Sequence, residues 1–422
     1  MKNLITLLII LITLNISAQD VSRVEPPNWW AGMKSSELQL LIYGEDISTT
    51  DVVLDYEGVE IVSITKVENP NYLFVDLKLA KDLKPGNFDI QFKQGNKVVD
   101  TYTYEFWERK KGSAERQGFN TSDVIYLITP DRFVNGDTSN DEVNGMREGL
   151  DRADKWGRHG GDLRGIINSL DYLQEMGFTA VWLNPVLEND MHSSSYHGYA
   201  CTDFYKVDRR YGTNEEYIEL KKELNKRGMK LIMDLIFNHC GSEHWWMHDM
   251  PMKDWINNYP NYKITNHRRT VNQDPHASVA DTKGMVDGWF VPTMPDMNQK
   301  NPFMSKYLIQ NSIWWVEYVD LEGIRQDTWP YPHKNMMTDW TKELLEEYPN
   351  FNIVGEEWSL NPAIVAYWQK GKYNADDYKN YAPSMMDFPL QNAVSEGLSK
   401  EESWGTGLIQ IYEAIANDFL YP

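Results

Sequence analysis

Three strand-like stretches of this chain end in residues able to move protons or attack carbon. DLIFNH closes on Asp234, Asn238 and His239, EGIRQDTW carries Arg325 and Asp327, and NFNIVGEEW carries Glu356 and Glu357. On an extended chain, residues two apart point the same way, so Arg325 and Asp327 share a face. If that face meets solvent, the pair is a surface ion pair of little energetic worth. If it meets a pocket, Arg325 lowers the pKa of Asp327 and keeps it ionised, as a nucleophile requires. Three neighbouring strands each delivering an acid, with Arg and His among them, point to the pocket. Two carboxylates facing one another across such a mouth suit glycosidic-bond cleavage. One stays ionised and attacks the sugar carbon; the other stays protonated and donates to the leaving oxygen.

The elements that would hold these residues follow a strand–helix alternation from Asp123. DVIYLITP reads as a strand, and Leu163, Ile166, Ile167, Leu170, Leu173 and Met176 then recur at helical spacing up to Gly177. TAVWLNP, the helix EEYIELKKELNKRG and the strand MKLIMDLIFNH come next. After an irregular stretch at about 240–300 come a helix from about Pro302, EGIRQDTW, a helix through TDWTKELLEEY, NFNIVGEEW, and PSMMDFPL as one more strand. This predicts an α/β fold, a (β/α)8 TIM barrel with functional groups at the C-terminal strand ends. A doubly wound open sheet is the alternative, but its Gly-rich phosphate fingerprint is absent. Residues 19–108 differ: ELQLLIYG, DVVLDYEG, VEIVSITKV, YLFVDLKL, NFDIQFKQG and VVDTYTYEFW alternate apolar and polar residues between turns, predicting an all-β immunoglobulin-like sandwich. Residues 109–122 read as a polar linker to the catalytic barrel, 123–422.

Composition narrows the partners. A formal charge of −21 over 422 residues argues against nucleic acid and against an anionic membrane surface. The 16 Trp and 24 Tyr suit stacking on sugar rings, though such rings also fill cores. Residues 1–18 predict a signal peptide: Lys2, the apolar LITLLIILITL and the small-residue end ISA. No cysteine follows the expected cut, so a lipid anchor is not expected. An exported protein, periplasmic or secreted, is. There Cys201 and Cys240 either pair or remain buried thiols.

A second polar cluster lies in NGDTSND, with Asn135, Asp137, Asn140 and Asp141, joined by Gly160 and Asp162 of HGGDL. Oxygen ligands this dense suit Ca2+; a hydrated Asx-rich turn is the other reading. His239, Cys240, His244 and His248 are spaced as a zinc site could be, but the sugar pocket already claims His239.

DLIFNH, GIRQDTW, VGEEW and MPDMNQ together resemble four segments of the α-amylase family of retaining α-glucan hydrolases, in family order, and YHGYACTDFYKVDRRYGT resembles a fifth. The resemblance runs from about residue 123 to the end. It places Asp327 on the nucleophile and Glu356, not Glu357, on the acid/base. It places Asp234, His239, Arg325, His197 and Tyr199 around the sugar at the cleaved bond, with Asp234 positioning Arg325 and the Tyr199 ring stacking on the sugar. VEPPNWWAGM, TWPYPH and WSLNPAIVAYWQKG are similar to the cyclomaltodextrinase and neopullulanase subgroup. That implies an α-glucan oligosaccharide substrate: cyclodextrins, pullulan or maltooligosaccharides, cut at α-1,4 and in some cases α-1,6 links. It further implies a calcium site at Asn135, Asp137, Asn140, Asp141, Gly160 and Asp162, and a homodimer through the N-terminal domain. Trp329 and Trp358 are each expected either near sugar or in the core, and Trp358 is assigned to substrate. Pro330 and Tyr331 depart from the family, where many members carry a Lys-His pair against the next sugar.

The family's third carboxylate, in an Asn-His-Asp segment on the seventh strand, has no counterpart; Asn417-Asp418 reads as helix. The sequence therefore predicts a barrel lacking its last two strands, a fragment of a longer protein with negligible turnover of its own. An α-glucan transferase of the same family and a catalytically inactive glucan-binding protein are the alternatives.

Overall fold

The computed structural model describes residues 21–422; the expected signal peptide, residues 1–18, lies outside the described residues. The first unit is a sandwich of two four-stranded sheets. Its strands are β1 (Val21–Glu25), β2 (Trp29–Ala31), β3 (Glu37–Gly44), β4 (Asp51–Leu54), β5 (Val59–Lys66), β6 (Tyr72–Leu79), β7 (Gly86–Gln94) and β8 (Lys97–Glu108). One sheet runs β1-β3-β6-β5 and the other β2-β8-β7-β4. The alternation of β7 turns Phe88, Ile90 and Phe92 inward, where Leu40, Ile42 and Phe74 meet them in one core.

The second unit is a half-barrel. Six parallel strands stand in the order β16-β15-β14-β13-β10-β9. They are β9 (Ile125–Ile128), β10 (Ala180–Leu183), β13 (Lys230–Leu235), β14 (Gly323–Gln326), β15 (Asn352–Gly355) and β16 (Ser384–Met385); β11 (Leu187–Glu188) and β12 (Asp203–Val207) form a side ribbon. Helices α1 (Leu163–Asn168), α2 (Leu170–Glu175), α3 (Asn214–Lys226), α4 (Trp245–His248), α5 (Val279–Val286), α6 (Pro302–Val319), α7 (Lys334–Glu347), α8 (Pro362–Ala366), α9 (Phe388–Ser399) and α10 (Ile409–Ala416) link them. A capping box, Thr213 with Glu216, starts α3. Two glycines are required by close approach. A Cβ at Gly323 would lie 2.4 Å from the Phe119 ring, and one at Gly355 2.4 Å from the Trp329 ring.

Two expectations are corrected. The single helix expected over Leu163–Met176 breaks at Ser169, whose hydroxyl donates back to the Gly165 carbonyl at 2.8 Å. Only Ser384–Met385 of PSMMDFPL pairs as strand, because Asp387 caps α9 with Pro389 in its first turn. The polar stretch 109–122 is tied down along its length. Arg109 pairs with Glu317 at 2.8 Å, the Ser113 hydroxyl donates to the same carboxylate at 2.6 Å, and Phe119 sits under β14.

The two units are also joined directly. Gln39 and Gln310 exchange hydrogen bonds at 2.8 and 2.7 Å, and Trp30, Trp107, Trp314 and Tyr318 form a run of ring contacts across the seam. The sandwich thus braces α6, the helix that leads into β14.

Candidate active site

Parallel register puts Asp234 of β13 beside Arg325 of β14, so two buried charges on one row face the same interior. One Arg325 amine donates to both Asp234 oxygens, at 2.9 and 3.1 Å, and to Asp327 at 2.7 Å; the other meets Glu356. Asp327 and Glu356 are thus held on the two amines of one guanidinium. Arg325 and Asp327 therefore face the pocket, and one guanidinium ties three strand ends together.

Thr328 shapes the turn between them. Its φ of 47° is unusual for a β-branched residue, and its amide donates to Glu356 at 3.0 Å. The strained residue lies directly after Asp327 and fixes the opposing carboxyl. Glu357 points the other way: it is fully buried, pairs with Arg269 at 2.5 Å and accepts from the Trp368 indole at 3.2 Å. Glu356, by contrast, keeps about 11% of its side chain exposed at the mouth.

The electrostatics follow from sharing one cation among three acids. Burial pushes Asp234 up to about 7, against Arg325, which pulls it down. Burial also raises Asp327, overcoming Arg325, and burial together with the Asp327 charge raises Glu356. The expectation that Arg325 holds Asp327 low is thus corrected: Arg325 does pull it down, but the loss of solvent on burial outweighs the guanidinium. The three coupled carboxyls together favour a bound proton.

Tyr199 donates its hydroxyl to Asp234 at 3.1 Å, and its ring lies 5.8 Å from His197. His197 and His239 are both lowered to about 4, by burial first, and are neutral near pH 7. His239 meets the Tyr199 carbonyl at 3.1 Å. Trp329 is core, packed on Trp340, whereas Trp358 is exposed at the mouth beside Tyr331. Sequence reasoning missed Trp182, which donates to Asp234 at 3.0 Å and lies 5.2 Å beneath the Arg325 guanidinium. It also missed Phe290, 4.5 Å from Tyr331. Trp182 belongs to a strand whose inward rows could have flagged it; Phe290 carries no such signal.

The oxygen-rich loop gathers as a cradle. A Cβ at Gly160 would lie 2.3 Å from Asp141, and the buried side-chain carbonyl oxygens of Asn135 and Asn140 have no hydrogen-bond partner. The Asn135 amide donates to Asp141 at 2.6 Å. Asp137 accepts from Ser139, which lowers its pKa. Asp162 caps α1 and accepts the Gly136 and Asp137 amides. Two orphaned hard oxygens beside a carboxylate fit a calcium-sized cation. Among the described residues no group of three or more His, Cys, Asp and Glu is arranged for a metal, which leaves the zinc spacing at 239–248 without a site. Cys201 and Cys240 are free, buried thiols. Asn417 and Asp418 follow α10 into a helical turn.

Comparison with known proteins adds the following. The model of the α-amylase catalytic domain matches residues 127–417, and that of the cyclomaltodextrinase N-terminal domain matches residues 23–110. A cyclomaltodextrinase of Thermoanaerobacter pseudethanolicus is 32% identical over 291 residues, 67% of this chain and 45% of that protein. Neopullulanase 2 of Thermoactinomyces vulgaris is 30% identical over 238 residues, 56% of this chain and 38% of that protein. The α-amylase of Geobacillus thermoleovorans, solved with acarbose, is 34% identical with a TM-score of 0.57, covering 73% of this chain and 60% of that one. The chain spans less than half the length of the first curated relatives it matches.

Proposed function

Because the chain belongs to the α-amylase family of glycoside hydrolases, we propose that it cleaves α-glucan links in cyclodextrins, pullulan and maltooligosaccharides with retention of configuration. The observation that supports this is one guanidinium bridging Asp327, at 2.7 Å, and Glu356. Carboxyls set this close match the retaining arrangement, not the wider inverting one.

In this reading Asp327 attacks the anomeric carbon as Glu356 gives its proton to the departing oxygen. The glycosyl-enzyme bond forms and the glycosidic bond breaks. Glu356, now ionised, takes a proton from water, and that water displaces Asp327. Arg325 and Asp234 hold the nucleophile; Tyr199, His197 and His239 line the sugar. Trapping with 5-fluoro-α-glucosyl fluoride tests it. A mass increment on the Asp327 peptide is expected; labelling elsewhere, or inverted product, overturns it.

We further propose a structural Ca2+ held by Asn135, Asn140, Asp141 and the Gly160 carbonyl, with Asp137 and Asp162 alongside. The orphaned Asn oxygens support it, and the expected outcome is a chelator-induced fall in Tm that calcium restores. Export to the periplasm or medium is proposed from residues 1–18. A homodimer through the sandwich is proposed from Val62 and Ile64, exposed on the edge strand β5, and sedimentation would test it.

A further inference from the structure

The excursion between β13 and α6 comes back onto the two strand ends that carry the carboxyl pair, and it does so through residues 267–272. His267 Nδ1 meets the Tyr331 hydroxyl at 3.0 Å, Asn272 donates to the Pro330 carbonyl at 2.9 Å, and Arg269 pairs with Glu357 at 2.5 Å. Pro330 and Tyr331 closely follow Asp327, and Glu357 directly follows Glu356. Of the three ties only the last is ionic. Glu357 is 0% exposed and Arg269 about a quarter exposed, so removing the arginine would strand a buried carboxylate.

Three rings lean on this clasp. Phe290 lies 4.5 Å from Tyr331, and Trp358 lies 6.1 Å from Tyr331 and 5.4 Å from the Arg269 guanidinium. Trp358 stands two residues after Glu356 and is exposed at the mouth. The rings form one wall beside the acid that protonates the leaving oxygen, which makes it the leaving-group side. The clasp residues themselves line a cavity of about 480 Å³, with His267, Arg269, Thr270, His276 and Glu357 on its walls, so the ion pair has open space on one side.

We infer that the Glu357–Arg269 ion pair is a positioning device that sets the Phe290–Tyr331–Trp358 wall and so selects the glucan unit accepted on the leaving-group side. This rests on the glucan-hydrolase reading. Neither residue touches the reacting atoms; both act through the wall.

Hydrogen–deuterium exchange and calorimetric titration with maltotetraose test it on the chain as it stands. Glu357→Gln and Arg269→Met are expected to speed exchange across residues 264–290 by about tenfold or more, while β13 and β14 keep their protection. The same variants are expected to weaken maltotetraose by about tenfold, the scale on which small misplacements act. Arg269→Lys, which keeps the charge, restores most of both. Unchanged exchange in Glu357→Gln and Arg269→Met overturns the clasp. Faster exchange with unaltered maltotetraose affinity overturns the wall's role in sugar binding. A wild-type chain that binds no maltotetraose overturns the glucan reading and the wall's role with it, while the exchange arm still decides for or against the clasp.

Discussion

Arg23 and Arg325 each hold more than one buried carboxylate, yet the two clusters are balanced differently. At the seam between sandwich and half-barrel, Arg23 meets Glu25 at 3.1 Å and Asp203 at 2.8 Å, and Lys206 adds 3.3 Å to Asp203. Two cations thus face two carboxylates. The Tyr307 hydroxyl and the Tyr205 amide complete the set at 2.8 and 3.0 Å. At the barrel mouth one guanidinium serves three carboxyls, and Arg325 Nε, Gln326 Oε1 and Thr328 Oγ1 are buried without a hydrogen-bond partner. A closed network holds two units together; an under-satisfied, open one is poised to exchange protons and meet a ligand. Burial and charge alone do not separate a structural cluster from a reactive one. The balance of partners does.

Asp327→Asn should separate the two most sharply. Covalent labelling by 5-fluoro-α-glucosyl fluoride is expected to be lost, while the urea midpoint holds or rises because a crowded negative charge is gone. A destabilised Asp327→Asn chain that was still labelled would erase the distinction. Arg23→Met should do the reverse, costing about 3 kcal/mol in urea unfolding by leaving buried carboxylates unpaired, with maltotetraose affinity unaltered.

The seam should also be visible as a pH slope. Burial first, then the Asp203 charge, push Glu25 up to about 7 against Arg23. The native state therefore keeps a proton that the unfolded chain has released, so this contribution is complete below about 4.5 and is lost as pH rises through about 7. Asp203, held low, acts only in the acid range below its ordinary value. Between about pH 5 and 7, the stability difference between wild type and Glu25→Gln should change by up to about 1.4 kcal/mol per pH unit, a comparison in which the contributions of His197, His239 and Asp234 cancel. A slope that Glu25→Gln leaves unchanged would remove Glu25 from the account. Smallest of all, Tyr199→Phe keeps the ring and loses the bond to Asp234; it should cost about 1 kcal/mol of maltotetraose binding by calorimetry.

Much of the site was legible because strands write their geometry into sequence at period two. Arg325 and Asp327 had to share a face, and Asp234 and Glu356 had to end neighbouring strands, once the alternation of strand and helix was read. Oxygen-rich loops and the sandwich's alternating strands announced themselves in the same local way. Residues that act across the fold did not. Trp182 reaches Asp234 only through register, Thr328 takes its strained φ only in the finished turn, and the break at Ser169 depends on one hydroxyl turning back.

What the chain's order of residues determined alone was the pairing of an acid-rich half-barrel with a β-sandwich, and which carboxyls meet at its mouth. What tertiary structure decided was how charge is distributed there. The same residue type meets Arg325 at Glu356 and Arg269 at Glu357, because the two side chains leave the end of β15 in different directions and find different cations. A pKa is set by the solvent removed and the partners supplied, and both are properties of the packed molecule.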